Sequence, residues 1–125
     1  MPQVPEIKVE KAVVFDSKLE AGVKKAAKSG GESAATDKFD EAYVIKLVPT
    51  LKFDDKKREI VATCAWQIYE GGGTKLFARL KQTKGSEGRA TVNPDKISQG
   101  NLDDTVGAVC ENEVKGISKA LKSLK

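Results

Sequence analysis

The residue types that most enzymes use for catalysis are scarce in this chain. It contains no His and only two Cys among 125 residues. An imidazole base, an imidazole metal ligand and a closed thiolate zinc site are therefore excluded. A Ser or Thr nucleophile needs an activating base, and no motif pairs Ser with Lys for that purpose. The sequence predicts a protein that is not an enzyme, with no catalytic residue, no cofactor and no bound metal.

Two short motifs imitate ligand-binding loops without meeting their requirements. The run Gly71-Gly72-Gly73-Thr74-Lys75 differs from a phosphate-binding loop, in which Lys follows the last Gly and precedes Ser or Thr. The pairs Asp54-Asp55 and Asp103-Asp104 lack the alternating oxygen ligands of a calcium loop. We interpret the glycines as a hairpin turn and the Asp pairs as a polar turn and the acidic start of a helix.

The two cysteines, Cys64 and Cys110, are a candidate disulfide. Apolar patterning predicts that both point towards the core, Cys64 from a strand and Cys110 from the last helix. A redox pair usually has the spacing Cys-x-x-Cys, which these residues lack. A disulfide needs Cα atoms within about 7 Å, so the helix would have to approach the sheet closely. Neighbouring small side chains leave room for that approach: Ala62, Ala65 and Ala108. Both a structural disulfide and two buried reduced thiols fit the sequence.

Basic and aromatic side chains are predicted to share the face of a sheet that is turned away from the core. Aromatic rings among cations on an open sheet can stack bases and hold phosphates. The same composition is typical of a solvated surface or of a contact with another protein. The candidate partner-binding residues on this face are Lys46, Lys52, Tyr69, Lys75, Phe77, Arg79 and Lys81.

The elements that would position these residues are strands and helices of an α+β fold. Alternation of apolar and polar residues predicts strands at about 7–15, 43–53, 59–70, 74–83 and 89–92. Trp66 shares a strand face with apolar residues and is expected in the core. Pro49 cannot donate a ladder hydrogen bond, so it implies an edge strand, a bulge or two shorter strands.

Helical spacing predicts a short helix over about 18–28 that ends at Ser29-Gly30-Gly31, and a C-terminal helix whose N-cap is Asn101. Glu113 is the one polar residue in the apolar stripe of the C-terminal helix. We therefore expect an antiparallel β-meander of three to five strands, with the C-terminal helix and the short N-terminal helix packed on one face.

The chain length of 125 residues suits one domain. We assign residues 1–5 to an extended tail or tether, because Pro-rich segments stay extended, and residues 6–125 to a single α+β domain. No apolar signal segment follows Met1, and no apolar run is long enough to span a membrane. The protein is either cytoplasmic or exported with its signal segment missing from this sequence. The net charge of +4 permits anionic partners without requiring them.

The order of a tether, a helix, an antiparallel sheet and a final helix resembles the small exported accessory lipoprotein domains of Gram-negative bacteria. The resemblance covers the order of elements over most of the chain and includes no diagnostic motif, so it assigns no residue a role. It implies a periplasmic or otherwise exported protein that is a non-enzymatic binding or scaffold module for another protein or envelope macromolecule. The alternative is a small cytoplasmic module that binds nucleic acid on the basic sheet face.

Overall fold

Six β-strands form one mixed sheet, and two helical regions cover one of its faces. The computed structural model describes residues 2–82 and 85–124. The strands are β1 (Glu6–Lys8), β2 (Val13–Val14), β3 (Val44–Asp54), β4 (Glu59–Glu70), β5 (Lys75–Leu76) and β6 (Glu87–Thr91). A 3-10 turn (Ser17–Leu19) leads into helix α1 (Glu20–Ala34). The C-terminal helix consists of α2 (Gln99–Leu102), a π-helical segment (Asp103–Gly107) and α3 (Ala108–Ser123). The predicted α+β class and the C-terminal helix are confirmed.

The long antiparallel hairpin of β3 and β4 forms the centre of the sheet. On one side β1 and β2 pair with β3 in parallel, along residues 44–46 and 50–51. On the other side β5 and β6 pair with β4 in antiparallel fashion, along residues 69–70 and 59–63. The expectation of a purely antiparallel meander is wrong, because α1 carries the chain across the sheet before β3 begins. A helical crossover of this kind returns the next strand parallel to the first.

Alternation along the hairpin separates its two faces. Ile45 lies opposite Ile68, and Leu47 lies opposite Trp66; these pairs face the helices and contribute to the apolar core. Asp54 closes the turn between the strands, because its Oδ1 accepts hydrogen bonds from the backbone nitrogens of Lys56 and Lys57 at 3.1 and 3.3 Å. The hairpin is thus specified by local sequence.

Pro49 lies in the middle of β3, with paired strands on both sides. Phe15 N donates to Leu51 O at 3.1 Å, so the backbone of Leu51 is directed towards the N-terminal segment, and by alternation so is that of Pro49. Residues 9–12 of that segment lie outside the ladder, between β1 and β2. The missing N–H of Pro49 therefore leaves no hydrogen bond unmade. Strand β3 is continuous through Pro49, and the interruption lies instead in the neighbouring segment, between β1 and β2.

The glycines that were expected to end the first helix lie inside it. Helix α1 continues to Ala34, because Gly30 and Gly31 allow close packing. A Cβ on Gly30 would collide with the backbone of Gly107, and one on Gly31 would lie 2.9 Å from Leu47 Cδ1. The glycines that were predicted to end the helix are therefore the residues through which α1 contacts the C-terminal helix and the sheet.

The C-terminal helix begins one turn earlier than predicted. Ser98 is its N-cap, and Asn101 is the third residue of a capping box in which each side chain bonds the other's backbone N–H, at 3.1 and 2.9 Å. A capping box satisfies two of the free N–H groups at the helix start. Within the described residues no helix is long and apolar enough to cross a membrane.

The first described residues contact the rest of the fold. Gln3 N donates to Phe39 O at 2.8 Å, and Phe39 N donates to Gln3 O at 2.9 Å. Pro5 is buried. The division into a tail of residues 1–5 and a domain of residues 6–125 stays a prediction. Met1 and Lys125, together with Thr83 and Lys84 near the end of the predicted strand 74–83, lie outside the described residues.

Candidate functional site

The candidate binding site is the sheet face opposite the helices, here called the open face. Successive side chains of a strand point to opposite faces, so residues that are paired across β3 and β4 share a face. The open face comprises Val44, Lys46, Val48, Thr50 and Lys52 of β3 with Val61, Thr63, Ala65, Gln67 and Tyr69 of β4.

A groove of about 750 Å³ lies on the open face. Its floor is formed by the sheet, and Glu10 and Lys11, from the segment between β1 and β2, contribute to its wall. The open-face residues that line it are Lys46, Val48, Ala65, Gln67 and Tyr69. The groove thus combines small apolar side chains, one aromatic ring and both signs of charge.

Lys46 and Tyr69 are in contact in this groove. Lys46 Nζ lies 4.7 Å from the centroid of the Tyr69 ring and 3.2 Å from Glu10 Oε1. Tyr69 Oη donates to Gln67 Oε1 at 3.1 Å. The ammonium group therefore contacts a ring and a carboxylate together.

A second cation next to the open face is also paired. Arg89 of β6 lies opposite Val61 in the ladder. Its guanidinium contacts Glu87 at 2.8 Å, Glu59 at 3.3 Å and Asp54 at 3.7 Å. The hydrogen bond and charge of Glu87 raise the pKa of Arg89 above its usual value, with a smaller contribution from Glu59. This end of the sheet therefore carries an acidic cluster around one cation.

The turn between β4 and β5 confirms the hairpin interpretation of the triple glycine. Gly71, Gly72 and Gly73 have φ angles of 64°, 72° and 103°, in the region that favours glycine. Gly72 N donates to Ala42 O at 3.0 Å, and a Cβ on Gly73 would lie 3.3 Å from Val44 Cγ2. The turn packs beside Val44, which is buried although it belongs to the open face.

Three of the predicted partner-binding residues lie on the open face: Lys46, Lys52 and Tyr69. The other four do not: Lys75 lies opposite Glu70, on the other face, and β5 ends after Leu76 instead of continuing to residue 83. Leu76, rather than Phe77, lies opposite Tyr69. Phe77 is buried on the helix side, with its ring centroid 5.4 Å from that of Tyr43. Lys75 pairs with Glu70, Arg79 lies beside the Phe77 ring and Lys81 is exposed in the segment after β5.

Residues 64–68 of β4 lie between the part of the strand that pairs with β6 and the part that pairs with β5. In this gap a side chain, that of Gln82, bonds the β4 backbone in place of a neighbouring strand. Gln82 Oε1 accepts from Trp66 N at 3.1 Å, and Gln82 Nε2 donates to Cys64 O at 2.8 Å. Glu113 of α3 accepts hydrogen bonds from Gln82 Nε2, from Trp66 Nε1 at 3.3 Å and from Ser86 Oγ at 3.1 Å. Glu113, the polar residue in the apolar stripe of the helix, thus anchors this segment. The only sign of this role in the sequence is that a charged residue occupies a position where an apolar one is expected.

Cys64 and Cys110 are free thiols on the helix side of the sheet. Both are buried, at 2% and 0% exposure. A hydrogen bond with Cys110 is the largest cause that raises the pKa of Cys64, followed by burial. Of the alanines expected to let the helix approach the sheet, Ala62 is buried, whereas Ala65 and Ala108 are exposed.

The described residues contain no group of three or more Cys, Asp or Glu side chains that could hold a metal ion. A comparison of the sequence with protein-family models finds no match, and neither does a comparison with curated proteins.

Proposed function

We propose that this protein is a non-enzymatic, exported binding module of the cell envelope that holds another protein on its open face. One observation carries the proposal: α1 and the C-terminal helix pack on the same side of the sheet, so no helix among the described residues covers the other face of the long hairpin of β3 and β4. The groove on that face provides the shape for a partner.

The chemistry of the open face favours a protein partner. Val48 and Ala65 offer apolar contact, Gln67 offers an amide group, and the charges nearby have both signs. Apolar area and mixed polar groups at a protein contact provide area and orientation together.

Nucleic acid fits the same face less well. Phosphate binding needs cations that are free to replace counterions, whereas Lys46 and Arg89 are already paired with carboxylates. Base stacking needs uncovered rings, whereas Lys46 lies over Tyr69 and Phe77 is buried.

Site-specific photocrosslinking tests the binding face in the cells from which the protein comes. A photoreactive phenylalanine analogue at Gln67, in the groove, is expected to give a discrete crosslinked protein. The same analogue at Asn112, exposed on α3, is expected to give none. Ala65→Arg should abolish the Gln67 crosslink and Asn112→Arg should leave it unchanged. Crosslinks of equal yield at both positions, or a Gln67 crosslink that survives Ala65→Arg, would contradict the proposal.

Cell fractionation tests export separately. The native protein is expected in the periplasmic or envelope fraction, and mass spectrometry of its N-terminus is expected to show a processed or lipid-modified end. A cytosolic protein with an unprocessed initiator Met would refute export. The crosslinking experiment would then still test whether the open face binds another protein.

A further inference from the structure

The ion pair between Lys46 and Glu10 shows which chemical group fits the groove of the open face. Both residues line the groove, and Lys46 Nζ lies 3.2 Å from Glu10 Oε1. Lys46 belongs to β3, whereas Glu10 belongs to the segment between β1 and β2, outside the ladder. The exposed fraction of the side chain is 32% for Lys46 and 64% for Glu10. A largely covered cation on the sheet is therefore paired with a carboxylate that solvent surrounds.

The position of the Lys46 ammonium group does not depend on Glu10 alone. Its Nζ lies 4.7 Å from the centroid of the Tyr69 ring, and a ring face attracts a cation. The Tyr69 hydroxyl donates to Gln67 Oε1 at 3.1 Å, and Gln67 lies directly opposite Lys46 in the ladder. Because both contacts come from β4, the ammonium group stays in the groove when the Glu10 carboxylate moves away.

The Glu10 carboxylate is held weakly. An exposed ion pair contributes little to stability, because solvent screens it, and in the part of the chain that the structure describes Glu10 has no second ion pair. A carboxylate of a bound protein would meet Lys46 inside an interface, where less water screens the attraction. It can therefore take the place of Glu10.

We propose that the protein held on the open face binds Lys46 through a carboxylate, and that Glu10 occupies this position in the free protein as an internal competitor. The group is an Asp or Glu side chain or a C-terminus. Lys11, exposed on the same groove wall, adds a second positive charge nearby. The inference rests on the proposed function, because it names the chemical group by which the partner on that face is recognised.

Photocrosslinking in cells tests the competition. The photoreactive phenylalanine analogue is placed at Ala65, in the groove, so that the ion pair and Gln67 are unchanged. We expect Glu10→Gln to raise the yield of the crosslinked protein and Lys46→Gln to lower it. Because Glu10 acts through Lys46, Glu10→Gln should have no effect when Lys46→Gln is also present.

The matched control is the ion pair between Glu111 and Lys115, which lies on α3 with a distance of 2.9 Å. Glu111→Gln and Lys115→Gln remove the same charges from the other side of the molecule and should leave the Ala65 crosslink unchanged. Lys46→Arg retains the cation and should keep most of the yield. Urea denaturation establishes that each variant is folded.

Calorimetric titration with the captured protein, once purified, measures the size of the effect. We expect Glu10→Gln to lower the dissociation constant about two- to fivefold, which corresponds to the small free energy of an exposed ion pair. Lys46→Gln should raise it about tenfold, because the partner's carboxylate loses its cation in the interface.

Mass spectrometry of the crosslinked product identifies the attached segment of the partner, and amide substitutions there identify the carboxylate. Each Asp and Glu of that segment is replaced by Asn or Gln, and a C-terminus within it is extended by two glycines. One of these changes should weaken binding to the wild-type protein about tenfold and leave binding to the Lys46→Gln variant unchanged.

The outcomes separate this inference from the proposed function. A discrete protein crosslink whose yield is the same in wild type, Glu10→Gln and Lys46→Gln would overturn the inference and leave the proposed function in place. So would equal losses in Lys46→Gln and Lys46→Arg, since packing would then explain them. A crosslink to nucleic acid, or none in any variant, would refute both.

Discussion

Glu113 shows how much one side chain contributes to the position of its neighbours. Its carboxylate receives hydrogen bonds from Trp66 on the sheet and from Gln82 and Ser86 in the segment between β5 and β6. Without these donors a half-buried charge would lose solvation without compensation. The residue therefore fixes the helix, the sheet and the intervening segment to one another.

Glu113→Ala is expected to lower the free energy of unfolding by about 2 kcal/mol, because several donors lose a charged acceptor. Glu111→Ala is the matched control. Glu111 lies two residues earlier and pairs with exposed Lys115 at 2.9 Å, so its removal should cost much less, because solvent screens exposed ion pairs. Urea denaturation measures both, and equal losses would contradict the anchoring role.

Trp66 lies on the predicted face but is not fully buried. Its ring packs against the core, and its Nε1 donates to Glu113 at 3.3 Å. We expect Trp66→Ala to cost about 3 kcal/mol through lost packing. Trp66→Phe should cost about 1 kcal/mol, since it retains most of the ring and loses one hydrogen bond. A loss below about 1 kcal/mol for the Ala variant would show that the ring stabilises little.

Helix packing depends on glycine where α1 crosses the C-terminal helix. Gly30 faces the backbone of Gly107, whereas a Cβ added to Gly116 would have no neighbouring atom within 4 Å. Both lie inside helices, so intrinsic helix propensity affects them alike, and only packing distinguishes them.

Gly30→Ala is expected to destabilise the protein by about 2 kcal/mol, because the added methyl forces the helices apart. Gly116→Ala should instead stabilise it by about 0.5–1 kcal/mol, through the helix propensity of alanine. Thermal denaturation of the two variants should therefore shift in opposite directions. Shifts of the same sign would mean that the crossing is looser than the structure indicates.

The elements that local patterning predicted are those specified by their own sequence. β3, β4 and the C-terminal helix have sustained apolar periods, and Asp16 caps the 3-10 turn, accepting from Lys18 N at 3.0 Å. The early end of β5 was not predictable, since it depends on burial of Phe77 against Tyr43 and on the distant Glu113. The parallel pairing of β1 and β2 was likewise missed, because strand alternation does not report direction.

Part of the candidate site was predicted because it lies on strands whose apolar and polar residues alternate over a long stretch. Lys46, Lys52 and Tyr69 belong to the two long strands, whose faces alternation assigns correctly. The four residues after the triple glycine were assigned wrongly for two reasons: the register of the turn places Leu76, and not Lys75, on the face of Tyr69, and the strand ends after two residues.

At the scale of the whole molecule, the distribution of charge predicts weak binding to nucleic acid. The net charge is only +4, and Lys46, one of the two lysines of the open face, is paired with Glu10. Fluorescence anisotropy with single-stranded DNA and RNA is expected to show dissociation constants of about 1 μM or weaker at physiological salt. Submicromolar binding that is lost in Lys46→Ala with Lys52→Ala, and retained in Lys115→Ala with Lys119→Ala on α3, would support the nucleic-acid alternative.

Both outer strands of the sheet are divided into short pieces, β1 and β2 on one side and β5 and β6 on the other. Unpaired strand edges are templates on which other chains add and fibres grow, and short interrupted edges resist this. The longest continuous strands, β3 and β4, lie inside the sheet, where neighbours occupy parts of both their sides. The folded protein should therefore remain dispersed at high concentration. Its aggregation should start from unfolded chains, through the apolar, nearly uncharged stretch from Ile60 to Tyr69, which has the composition of a cross-β segment.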